Sequence, residues 1–257
     1  MLRILVLSFC ALALPGATVE DGAAWVKDAE AKLYCWPAPH ATVRFQVHTD
    51  ALAPLIDAMK QDLEKKPDAA GARFVAALEK LEISGSIDTA TGKYDTEIKI
   101  DLDESDARAK AAAQTVRQRL RATIGGCFAS LPLQDPALLR KGAAVSSAEE
   151  TTDEHVVTSN GMHPGDTTVL HISRESGLPR QIELPRMTIG IAYAEATRGH
   201  FVPASLDLDS KMAPASHAEF SWQHEGEVWF PEHVRLSAKG AQAKIDFDHL
   251  VIEPHKP

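Results

Sequence analysis

The feature that most restricts the fold of this chain is a short pattern that occurs three times in its last third. It reads LPRQIEL at Leu178 to Leu184, VPASLDL at Val202 to Leu208 and FPEHVRL at Phe230 to Leu236. Each copy is an apolar residue, Pro, two free positions, an aliphatic residue, a polar residue and Leu, and the prolines lie 24 and 28 residues apart. A glycine (Gly177, Gly199, Gly226) precedes each Pro within five residues, and an alternating run follows each copy: MTIGIAYAEA, HAEFSWQHE and AKIDFDHLVI. Pro lacks the N–H that a central ladder needs and Gly accepts turn conformations, so together they mark where strands begin and end. Period-2 alternation then places one side of each strand on a core. The unit predicts a β-hairpin used three times, an antiparallel meander of about six strands.

Upstream of the meander the periodicity is mixed. Trp25, Val26, Ala29 and Leu33 form one stripe of a helix from Asp21 to about Tyr34. Leu52, Leu55, Ile56, Met59 and Leu63 suit a second helix ending before Pro67, and Phe74, Val75, Leu78 and Leu81 a shorter third. A long helix is predicted from Ser105 to Ile124, with Gly125-Gly126 as its stop. Strands are predicted at Thr42 to His48, in a hairpin from Leu81 to Asp101 around Thr91-Gly92, and at Ala143 to Glu149, Glu154 to Thr158 and Thr167 to Ser173. A turn from Gly161 to Gly165 separates the last two. Three or four helices and roughly nine strands predict an α+β fold built on a large antiparallel sheet covered by N-terminal helices. No composition break divides residues 18 to 257, which are read as one domain.

Arg3, the apolar run Ile4 to Leu14 and the small residues Gly16, Ala17 and Thr18 predict a secretory signal peptide over residues 1 to 17, hence a periplasmic or secreted protein. An uncleaved anchor is the competing reading. No later stretch is long and apolar enough for a membrane helix. A net charge of -9 without a Lys/Arg-rich run argues against nucleic acid as a partner. With Cys10 inside the signal, Cys35 and Cys127 remain, both expected just past helix ends, and they are a candidate disulfide. Closing that loop would stabilise by about 4 to 5 kcal/mol on the chain-entropy model. Two buried thiols that never meet are the alternative.

Catalytic signatures are weak. Eleven histidines occur without H-E-x-x-H or similar ligand spacing, so no metal is expected. His155, His163, His171, His200, His217, His224, His233 and His249 are read as exposed strand residues, two of which could meet across a hairpin. Asp207, Asp209, Asp246 and Asp248 alternate along strands, as on a wet face. No nucleophile elbow and no phosphate loop is present, so no catalytic residue, enzyme activity or cofactor is expected.

The order of these elements resembles a known family. A signal peptide, a helix leading into a first strand, a covering helix, the segment DPALLRKGAAVSSAEE, then TTVLHISRESGLPRQIEL and the FVP and WFP strands are similar to the periplasmic lipoprotein carriers of LolA/LolB type. The resemblance covers Leu131 to Ile252 best, and Ala51 to Lys80 is an insertion where that family passes from one strand to the next. It implies a strongly curved, incomplete β-barrel, a meander whose hydrophobic cavity is closed by helices and takes lipid acyl chains. A curved sheet must cover its concave apolar residues with helices or with a ligand. The candidates are Ile182, Leu184, Ile189, Ile191, Tyr193, Leu206, Leu208, Phe220, Trp222, Val234, Leu236, Ile245 and Phe247. The expected function is that of an exported carrier for an apolar ligand such as a lipid or lipoprotein acyl chain. The alternative is an envelope sensor or interaction module of the same fold, with a filled core and a protein partner.

Overall fold

The computed structural model describes residues 17–102, 107–129, 131, 133, 144–160 and 166–255. Residues 1 to 16 of the expected signal peptide, with Cys10, the first residues of the long helix, the Gly161 to Gly165 turn with His163, and most of the connection after Leu131 lie outside the described residues.

Four helices and twelve strands are present among the described residues, three strands more than the sequence tally. In chain order they are α1 (Val19–Lys32), β1 (Ala41–Thr49), α2 (Ala53–Lys65), α3 (Ala69–Glu79), β2 (Glu82–Asp88), β3 (Tyr94–Lys99) and α4 (Ala107–Ala129). Then follow β4 (Val145–Glu150), β5 (Glu154–Asn160), β6 (Thr167–Ser173), β7 (Pro179–Leu184), β8 (Met187–Thr197), β9 (His200–Ser210), β10 (Ser216–Glu225), β11 (Val228–Ala238) and β12 (Ala241–Pro254). All twelve strands form one antiparallel sheet in the order β3-β2-β1-β12-β11-β10-β9-β8-β7-β6-β5-β4. The sheet is open: β3 and β4 are its two edges and do not meet.

The repeated Pro has a role beyond starting a strand. Ile172 pairs Pro179 while His171 pairs Gln181, so Arg180 is an extra residue. Ala204 and Glu232 are skipped in the same way, directly after Pro203 and Pro231. Each Pro therefore sits beside a β-bulge on its own strand. On the other side the ladders to β8, β10 and β12 begin only at Gln181, Ser205 and His233, so no Pro has to donate there. A bulge bends its strand and increases its twist, and three at equivalent places curve the sheet in one direction. The glycines ahead of these strands are the tight turns: Gly177, Gly199 and Gly226 have φ of 67°, 79° and 59°.

Registry separates the two faces. Val157, Leu170, Ile182, Ile189 and Leu208 lie opposite one another from β5 to β9, and Ile191, Leu206, Ala218 and Leu236 form the next row. This is the inner face. On the outer face His217 donates to Asp207 at 2.6 Å and His233 to Asp246 at 2.6 Å, and His48 Nε2 lies 3.2 Å from Asp248 Oδ2. His171 lies between Glu154 and Glu183 at 3.2 and 3.1 Å.

The helices divide the inner face between them. α1 starts at a capping box, in which Asp21 N donates to Thr18 Oγ1 and Thr18 N to Asp21 Oδ2 at 3.1 and 2.8 Å. It lays Val26 and Ala29 on Val157, Leu170, Ile172 and Ile182. α4 packs Val116, Leu120, Ile124 and Phe128 into a larger cluster with Phe45, Phe230, Val234, Ile245 and Phe247. α4 does not stop at Gly125-Gly126 but runs on to Ala129. The Tyr94 side chain occupies the space that a Cβ at Gly125 would need, so this glycine permits the edge strand to approach the helix.

Candidate functional site on the inner face

The thirteen inward candidates share the inner face but meet two different environments. Ile182, Leu206, Phe220, Val234, Ile245 and Phe247 are buried. Ile182 lies under α1, and the other five belong to the cluster filled by α4. Leu184, Ile189, Ile191, Tyr193, Leu208, Trp222 and Leu236 are half-buried. Ile189 and Ile191 pack against both clusters, which places them at the seam between the two helical covers. The inner face is therefore filled at both flanks and keeps a partly exposed apolar strip along β7 to β9.

Three polar groups are held on or beside this strip. Trp222 Nε1 donates to Pro203 O at 2.8 Å, across the part of the β9/β10 ladder that the Pro leaves open. The Tyr193 hydroxyl has no hydrogen-bond partner among the described residues, and burial pushes its phenol pKa up. Next to the strip, under α1, His155 stacks on Trp25 with ring centroids 3.9 Å apart. Its Nδ1 is buried without a partner among the described residues, and burial holds its pKa below the usual imidazole value. His155 is thus an inner-face residue and not the exposed strand histidine expected from the sequence: it shares the parity of Val157, which α1 covers.

One end of the wall is tied by the chain after α1. Leu33 bridges Phe201, Tyr34 N donates to Phe201 O at 2.8 Å, and the Tyr34 hydroxyl donates to Glu227 O at 2.7 Å while accepting from Trp229 N at 2.9 Å. Trp36 Nε1 donates to Trp229 O at 3.0 Å. Desolvation raises the Tyr34 pKa to about 12, so the hydroxyl stays a donor at all ordinary pH.

The expected Cys35–Cys127 bridge is not formed in this structure, where both residues are thiols. The physical reason is the longer α4. Cys127 lies inside the last turn, not beyond a helix end, and its Sγ donates back to Thr123 O at 3.4 Å. Burial pushes its pKa up to about 12.

Among the described residues no group of three or more His, Cys, Asp or Glu side chains is placed to hold a metal, and no helix is long and apolar enough to cross a membrane. Sequence reasoning missed a groove of about 1010 Å³ between α3, β3 and α4. Its residues come from three distant segments, so no local pattern announces it.

No family model and no curated protein matches this chain. Among solved structures, a LolA superfamily protein from Nitrosomonas europaea aligns over 94% of this chain and 95% of its own, with 8% sequence identity and a TM-score of 0.29. The two chains align almost end to end, at a level of superposition too low to carry conclusions from one to the other.

Proposed function

We propose that this chain is an exported binding or carrier protein that holds an apolar ligand, such as a lipid or acyl chain, on the inner face of its open sheet without transforming it. The observation that supports this reading is the strip along β7 to β9, where Leu184, Ile189, Ile191, Tyr193 and Leu208 point to the core side yet stay half-exposed between two helical covers. Half-exposed aliphatic side chains side by side on a concave wall gain free energy from any apolar chain laid on them, at roughly 25 cal/mol per Å² removed from water. Tyr193 would offer the hydroxyl for a polar group at the end of that chain. The interaction-module reading draws on the other flank, where α4 fills the cluster around Phe230 and Phe247.

The test is fluorescence titration of the mature chain with a neutral apolar dye, N-phenyl-1-naphthylamine. Saturable enhancement that a phospholipid reverses, and that Ile191→Ser abolishes, is the expected result. No enhancement at all would favour the interaction module. Export is tested by the mass of the mature protein, which should lack residues 1 to 17.

A further inference from the structure

We infer that the groove between α3, β3 and α4 is a second binding site, separate from the inner-face strip, for a single-chain amphiphile with a carboxylate head, a fatty-acid anion. The groove is open to solvent and offers about 1010 Å³, enough for one such chain. Its floor is apolar: Ile98 and Ile100 are buried, Leu102 is half-buried, and Ala77 and Ala109 line the sides. Among the described residues, the charged side chains that its two helical walls turn to it are cations: Arg73 from α3, Lys80 just past the end of α3, and Arg117 and Arg121 from α4. Three acidic residues lie at its border: Glu82 and Glu97 alternate with the inward Ile83 and Ile98 and so lie on the opposite face of the strands, and Asp101 is an exposed carboxylate just past the end of β3. Within a chain of net charge -9, this is a local concentration of positive charge over an apolar floor.

The cations are positioned for an anion. Arg117 Nε donates to Ile98 O at 3.2 Å and Arg121 Nε to Thr96 O at 3.1 Å. These bonds occupy carbonyls on the edge strand and fix both guanidinium groups above it. Each guanidinium has five N–H donors and uses one here, so the remaining donors can take a carboxylate head. Arg73 and Lys80 are exposed on the facing helix and make no ion pair among the described residues. The α3 wall lies within the helical segment 51 to 80, so the groove depends on that segment.

The experiment titrates the full mature chain with cis-parinarate below its micelle concentration and with its uncharged methyl ester, at low and high salt. The site predicts that Arg73→Glu/Lys80→Glu weakens parinarate at least tenfold and leaves the ester unchanged. It also predicts that salt weakens parinarate in the wild type and not in the double variant. Ala76→Trp, which narrows the groove from an exposed helix position, should block parinarate without changing the neutral-dye binding used for the inner face. Parinarate affinity unchanged in both variants overturns the inference, whatever the inner face binds. Loss of parinarate only in Ile191→Ser overturns it as well, by placing that ligand on the strip.

Discussion

Replacing Phe230 by Ala separates the filled flank of the inner face from the seam. Phe230 is fully buried, and its ring centroid lies 5.3 Å from Phe45, 5.3 Å from Phe128 and 5.8 Å from Phe247. It therefore joins β11 to β1, β12 and α4. Truncating a buried Phe costs about 3 to 5 kcal/mol, because the rigid neighbours cannot collapse into the space. With an m-value of about 3 kcal/mol per molar urea for a chain of this size, the midpoint should fall by about 1 to 1.7 M. Ile191→Ala removes a half-exposed side chain, so about half of a full burial term is lost, roughly 1 kcal/mol or about 0.3 M. Urea unfolding followed by far-UV circular dichroism measures both. Equal losses for the two variants would refute the division of the inner face into a filled flank and an open seam, as would a loss below about 1 kcal/mol for Phe230→Ala.

Four further outcomes follow from particular contacts. Gly125→Ala should destabilise, although Ala is better than Gly in a helix by about 1 kcal/mol, because the added methyl meets the Tyr94 ring; thermal unfolding gives the sign. Gly226→Ala, at φ 59° with open space around it, should cost about 1 kcal/mol through backbone strain alone in the same assay. Two histidines should shape the stability profile in opposite senses. Burial lowers the His155 pKa, so its contribution is complete above about pH 6.5 and is lost as pH falls, whereas the hydrogen bond to Asp207 raises the His217 pKa, so its contribution is complete below about pH 6.5 and is lost as pH rises through the raised value. Urea midpoints across pH 4 to 9 should therefore flatten on the acid side in His155→Phe and on the alkaline side in His217→Asn. Finally, a thiol reagent at pH 8 should modify Cys127 only on unfolding, since the thiol is buried with its pKa pushed up to about 12.

Strand positions were legible because alternation is a local signal: the three Pro-led runs and their followers are β7 to β12, with ends shifted by a few residues. The bulges were not legible, since an extra residue such as Arg180 is defined only by the register of the neighbouring strand. Gly125-Gly126 reads as a helix stop on its own, and only the docking of Tyr94 from β3 turns it into a close-approach site within α4. The same holds for the inner face. Parity put all thirteen candidates on one side, but which of them are covered depends on where α1 and α4 dock, and this is a tertiary outcome. Ile182 and Leu184 are two residues apart on one strand, yet one is buried and the other half-exposed. The basic groove was out of reach because Arg73 and Arg121 are 48 residues apart in the sequence.

The most direct test of the carrier reading is native mass spectrometry of the chain purified from the cells that produce it. The expected result is a mature protein carrying an apolar adduct in the lipid mass range, lost on mild activation and missing from Ile191→Ser. A bare mature mass in both proteins, with a protein partner co-purifying instead, would contradict it.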